Sequence, residues 1–194
     1  VHALAQYIDF NPPKDNMEPD NLLKAVNSVL PKDIRILSVL KAEDDFHARY
    51  KALYREYTYF IFNNPVENPF FLRYSWHIKE HLDIQAMKNI KHLFEGEKDF
   101  GFVANEPEHK NCVRKVHFIR IKRIRGFVII NIRANGFLRG MVRNIVGILA
   151  AFGRNTLKIN FSDNIIRSHT ELKSLKAPPN GLFLTKVNYL RGCK

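Results

Sequence analysis

Three residues of one short stretch carry most of the chemistry legible in this chain. Arg55, Tyr57 and Tyr59 alternate through R-E-Y-T-Y, and side chains two apart on an extended strand share a face. A tyrosine beside an arginine can stack a nucleobase and hold a phosphate. The same tyrosines could instead pack a sheet, the commoner use of strand aromatics. A second pair, Arg139 and Arg143, falls in ANGFLRGMVRNIVGILAAFG at 134–153. Four residues apart, they would stack on one helix face near its start. The helix dipole favours cations at the other end, so arginines here are aimed at an anion or a carboxylate, unless they are solvated beside the apolar stripe. Other chemistries lack their residues. Of eight histidines, His77 and His81 are four apart, but no cysteine or carboxylate joins them at metal-ligand spacing. No P-loop, no G-x-G-x-x-G after a strand and no G-x-S-x-G elbow is present.

The charge distribution points the same way. The net charge is +12, and it is uneven. Residues 1–108 carry 13 basic against 17 acidic side chains, whereas residues 109–162 carry 12 basic and none acidic. A one-sided field of this kind concentrates polyanions and suggests nucleic acid. With 45% hydrophobic and 26% charged residues, the composition is that of an ordinary globular protein. No apolar run reaches membrane-spanning length, and no signal-peptide pattern opens the chain, so no membrane partner is expected. Cys112 and Cys193 give neither a disulfide framework nor a metal spacing, which makes a reducing cytoplasm the default.

These residues need elements to position them. Alternation predicts strands over 1–10, 34–41, 52–62, 76–79, 113–124, 127–134 and 181–189, with a tight turn at Arg125-Gly126. Helical spacing predicts helices over 19–30, 83–94 and 162–168. It also predicts the long helix within 134–153, with Asn135 as N-cap and Leu138, Met141, Val142, Ile145, Leu149 and Phe152 as its buried stripe. Residues 63–69 read as a loop between two halves. Helices interleaved with antiparallel hairpins make the class α+β with one mixed or antiparallel sheet.

Several motifs resemble one family. V-H-A at 1–3 matches the end of G-R-T-D-A-G-V-H-A, and F-H-A-R stands at 46–49. R-x-Y-x-Y stands at 55–59, N-x-F-L-x-x-M-V-R-N-I-V-G at 135–147 and G-L-F-L at 181–184. Asp99-Phe100 and Val113-Arg114 fall where D-F and V-R are usual. In this set, covering essentially the whole chain, the sequence resembles tRNA pseudouridine synthases of the TruA type. The resemblance implies isomerisation of uridine to pseudouridine on the 3′ side of the anticodon stem-loop of tRNA, by a homodimer without cofactor or metal. It implies that Tyr57 stacks on the uracil ring and that Arg143 pairs with the nucleophilic aspartate. His47, Arg49, Arg55, Arg114 and Arg139 become candidates for RNA contact. The implied fold is the pseudouridine synthase fold, two sheet-plus-helix units whose sheets merge around a basic cleft. Residues 1–62 would be the remainder of the first unit and 63–194 the second.

The sequence departs from the family pattern at its start. The nucleophilic aspartate belongs three positions before Val1, together with its neighbouring arginine and a leading strand and helix. Asp9, Asp44 and Asp45 are no substitutes, so residues 1–194 alone are expected to be inactive. Gly140 stands where a basic or polar residue is usual, and Gly136 replaces Ala or Ser. Two other classes fit the same residues. A non-catalytic tRNA-binding protein on this scaffold would show salt-dependent binding without turnover, and an assembly module would show no tRNA binding.

Overall fold

The computed structural model describes residues 1–12, 17–105, 111–156 and 175–189. By compactness the chain forms two units: Val1–Gln6 with Tyr54–Val187, and Tyr7–Leu53 with Asn188–Lys194. The larger unit is organised on a seven-stranded sheet. In chain order its strands are β1 (His2–Ala3), β2 (Ala52–Asn63), β3 (Trp76–Ile78), β4 (Gly96–Asp99), β5 (Val113–Ile124), β6 (Phe127–Ala134) and β7 (Leu182–Tyr189). Their spatial order is β1-β7-β2-β6-β5-β4, with β3 paired to β2 off this path. The β1–β7 and β2–β3 pairs are parallel, and β2–β6, β5–β6 and β4–β5 are antiparallel. The α+β class with a mixed sheet is therefore what forms.

Local chemistry explains the best-read element. β5 and β6 begin and end where alternation places them, and the turn between them has Arg125 at φ 46° and Gly126 at φ 82°. Two left-handed residues make the turn whose twist matches that of paired strands. Register then sets the faces. Tyr57, Tyr59 and Ile61 lie opposite Ile132, Ile130 and Val128, and this side of the sheet is apolar. It shares one buried cluster with Ile145, Ile148 and Leu149 of the long helix and with Met87 and Ile90 of a shorter one. The other side is polar and aromatic. Glu56 accepts two hydrogen bonds from Arg133 at 2.8 and 3.0 Å. The Arg133 guanidinium lies over Tyr54 and Phe118, and Arg120 lies over Phe118. Part of the basic stretch thus serves the sheet itself.

The shorter helix, α2 (Ile84–Ile90), starts where Asp83 caps it, accepting from the backbone N–H groups of Gln85 and Ala86. A 3₁₀ turn, Lys91–Phe94, completes the segment read as one helix. The long helix, α3 (Met141–Gly153), is buried on almost its whole circumference, not along one stripe. Two glycines let its neighbours close in. A Cβ on Gly153 would meet Leu82 and Met87 at 3.0–3.1 Å, and one on Gly147 would collide with the backbone carbonyl of Leu175.

Several expectations are corrected. α3 starts six residues after Asn135, which is not its cap: the Asn135 side chain accepts from the Lys115 N–H at 2.9 Å and extends the sheet. The helix begins after Gly140, held at φ 80°. Strand 1–10 is reduced to β1, and β4 forms at Gly96–Asp99, where alternation predicts no strand. Apart from these corrections, residues 63–69 fall within the larger compact unit, which is a separate matter from the division into duplicated halves, and the buried Asn63 at their start is held by four hydrogen bonds. Its amide donates to the carbonyls of Ile78 and Glu80, and its oxygen accepts from Leu82 N–H and Arg123. The helix expected over 162–168 lies outside the described residues.

In the smaller unit, α1 (Pro19–Val29) forms as read, with Pro19 in its first turn, yet none of its residues is buried. Residues 34–41 form no strand, since a strand needs a ladder partner and this unit supplies none among its described residues. Asn27 binds Ile36 through both its amide groups at 2.9 Å instead.

The Gly147 contact is open to test. Gly147→Ala should lower stability by about 1–3 kcal/mol in denaturant unfolding, because the obstructing atom is backbone and cannot swing aside. Gly136→Ala, where a Cβ meets only the Arg114 side chain at 3.6 Å, should stay within about 0.5 kcal/mol of wild type.

Candidate active site

Tyr59 is fully buried and donates its hydroxyl hydrogen bond to the Pro178 carbonyl at 2.8 Å. Burial pushes its phenol far above the ordinary range, against the lowering influence of the nearby Arg143 charge. Its role is therefore structural: it holds the segment leading into β7. Gly181 completes that attachment, since its carbonyl accepts the Phe60 N–H at 2.9 Å and a Cβ would press on the Phe60 carbonyl at 2.6 Å. Two residues earlier on the same face, Tyr57 is only half-buried. Its ring stands edge-on to Phe137, with centroids 5.1 Å apart. Burial raises its pKa, opposed by the charge of Arg55. The expected shared face of Arg55, Tyr57 and Tyr59 is present in the register, but the two tyrosines divide the uses: one packs, and one remains accessible.

Arg143 lies in the first turn of α3 and is half-buried. Its Nε donates to the Ala177 carbonyl at 2.6 Å, while its own carbonyl accepts the Ala177 N–H at 3.1 Å. This reciprocal pair fixes the guanidinium beside Tyr59. No carboxylate lies within salt-bridge reach of Arg143 among the described residues. Arg139 does not share its helix face. It precedes Gly140, outside the helix, and its carbonyl accepts the Asn105 N–H at 2.9 Å. Gly140 is there for conformation: φ is 80°, and a Cβ would collide with the Asn105 side chain. The charges of both arginines bear on Lys176. Burial first, then the charges of Arg143 and Arg139, hold its amine below the usual lysine range.

Arg114 lies on β5, with its Nη1 donating to the carbonyls of Asn111 and Val113 at 3.2 and 2.7 Å. In the smaller unit, His47 and Arg49 are both exposed. The His47 Nδ1 accepts the Arg49 N–H at 3.1 Å, and the Arg49 guanidinium lies 5.6 Å from the Tyr50 ring centre. The F-H-A-R turn is held within that unit by Asp9, which accepts from the Ala48 N–H at 2.8 Å, and by the Tyr189 hydroxyl, which donates to the Ala48 carbonyl.

Comparison with known proteins decides the family. The sequence profile of the tRNA pseudouridine synthase family matches residues 90–190. Over 97% of its length, the chain is 38% identical to tRNA pseudouridine synthase A of Thermoanaerobacter sp. (strain X514), of which it covers 78%. Against tRNA pseudouridine synthase A 1 of Protochlamydia amoebophila the identity is 37%, over 97% of this chain and 75% of the relative. For tRNA pseudouridine synthase A of Aquifex aeolicus it is 35%, over 96% and 77%. The chain belongs to the tRNA pseudouridine synthase family.

Two residues beside these candidates, Phe137 against Tyr57 and Lys176 near Arg143, were not singled out by the sequence. Phe137 stands within the N-x-F-L match, where an aromatic next to a strand end was the available signal. Lys176 had none, since the contact that places its segment spans 34 residues. Among the described residues, His77 and His81 belong to no group of three or more potential metal ligands. His77 sits in β3, with Nε2 2.8 Å from the Asn64 carbonyl and Nδ1 3.5 Å from Glu67, and His81 is exposed beyond the strand.

The raised pKa of Tyr57 gives a direct check. A phenol favoured in its neutral form by burial must titrate above the ordinary value of 10. The near-ultraviolet difference titration between wild type and Tyr57→Phe should be flat through that pH and rise only above it.

Proposed function

We propose that this chain acts in isomerising uridine to pseudouridine in tRNA. The observation that carries the reading is Arg143, a cation anchored through its Nε and its backbone beside the sheet face that bears Tyr57. In the family pattern G-R-T-D-A-G-V-H-A, the aspartate that acts as nucleophile stands three positions before the valine that Val1 matches. β1, which continues that motif, pairs with β7 at Phe183 and Leu184, and β7 adjoins the strand of Tyr57. An arginine at this position favours the ionised carboxylate. The accessible ring of Tyr57 offers a stacking face to a uracil flipped out of its helix. The N1–C1′ glycosidic bond breaks, the base turns, C5 bonds to C1′, the C5 proton leaves and N1 takes up a proton, with the protein supplying a nucleophile that is released again, a platform and a counter-charge.

The finer reading places the reaction on the anticodon arm, in the cytoplasm and in a homodimer, with Arg55, Arg114 and Arg139 of the larger unit and His47 and Arg49 of the smaller one touching RNA. Residues 1–62 and 63–194 are its two duplicated units. A non-catalytic tRNA binder is disfavoured, because phosphate binding alone has no use for an arginine held from both its side chain and its backbone.

Tritium release from tRNA labelled at uracil C5 tests this in the full-length protein. Wild type should release tritium. Arg143→Lys, which loses the Nε donor to Ala177 and the planar fork, should reduce release on the order of 10²-fold while tRNA binding persists. Binding without release by wild type would favour the non-catalytic scaffold.

A further inference from the structure

The Leu175-Lys176-Ala177 segment is pinned to α3 at two points. Gly147 admits the Leu175 carbonyl against the helix, and Ala177 exchanges two hydrogen bonds with Arg143. Pro178 is held in turn by Tyr59. Lys176 stands between these anchors, so its backbone cannot drift from the arginines whose fields it feels. It is half-buried, and no carboxylate lies in salt-bridge reach of it among the described residues. Two cations, Lys176 and Arg143, are brought close by this fixed backbone, and like charges in a partly desolvated place repel one another. A polyanion converts that repulsion into attraction, and an RNA backbone presents one charge per nucleotide.

We propose that Lys176 is a further RNA-binding residue, holding a phosphate of the tRNA backbone next to the reacting nucleotide, from the backbone segment fixed beside Arg143. The inference rests on the tRNA reading above. It adds a residue outside every motif that suggested that reading, and it assigns the Leu175-Lys176-Ala177 segment a role beyond bracing α3. Arg143 faces the chemistry, and Lys176 fixes where the strand runs past it. Its contribution falls on binding, not on the bond-breaking step.

The test measures tRNA affinity across a salt series, with single-turnover tritium release alongside, in the full-length protein. Lys176→Met keeps the aliphatic stem and removes the charge. It should weaken binding severalfold and reduce the slope of log affinity against log salt by about one, with the single-turnover rate at saturating tRNA unchanged. Lys176→Arg should restore the slope, which separates a charge effect from a packing effect; equal thermal midpoints for the three proteins confirm the fold. A Lys176→Met slope equal to wild type overturns the inference, and so does a loss of affinity that Lys176→Arg fails to recover. If wild type itself neither binds nor turns over tRNA, the functional reading falls and this inference falls with it. If wild type turns over normally while the Lys176→Met slope is unchanged, the inference alone falls.

Discussion

A helix with eleven of its thirteen residues buried must be covered on every side, and most of the larger unit follows from that requirement. The two residues of α3 that are not buried are Arg143 and Phe152. The apolar sheet face covers one flank, α2 with Leu82 covers another at Gly153, and the Leu175–Ala177 backbone covers a third at Gly147. Each fully buried aliphatic side chain contributes about 1.5–3 kcal/mol, so uncovering any flank is costly. Asn144, the polar residue inside this helix, is accommodated because its amide donates to the Val103 carbonyl at 2.7 Å.

The same covering layer produces the site. Because the chain before β7 has to cross α3, it carries Ala177 to the Arg143 backbone and side chain, and Lys176 arrives with it. The cations therefore gather beside buried apolar surface, where charge is screened less than on an open face. Tyr57 is the accessible aromatic two residues from one that is wholly committed to packing. The half-buried aromatic Tyr57, the anchored guanidinium of Arg143 and the amine of Lys176 thus emerge from one packing problem.

The opposite face of the sheet shows why net charge alone misleads about location. Residues 109–162 hold no carboxylate, yet Arg133 finds Glu56 across the β2–β6 pair, and Arg123 donates to Asn63 and to the Leu82 carbonyl. The excess of positive charge is real. Its assignment to one surface is not, since along β5 Arg114 and Lys115, and again Lys122 and Arg123, are adjacent and point to opposite faces.

What the sequence determined by itself is whatever local physics decides. Alternation with two left-handed turn residues set the β5–β6 hairpin, Pro19 and the apolar spacing set α1, and the motifs around Tyr57 and Arg143 identified the family. Tertiary structure decided the rest, because each remaining feature depends on a partner distant in the chain. The start of α3 moved to Gly140 because Asn135 is claimed by Lys115 of β5. Residues 34–41 alternate like a strand and form none without a ladder to join. Tyr57 and Tyr59 share a spacing, but only Tyr59 is tied down by the approach of Pro178, while Tyr57 stays half-buried. Lys176 joins the arginines because a glycine one helix away lets its backbone come close, a relation that no spacing along the chain records.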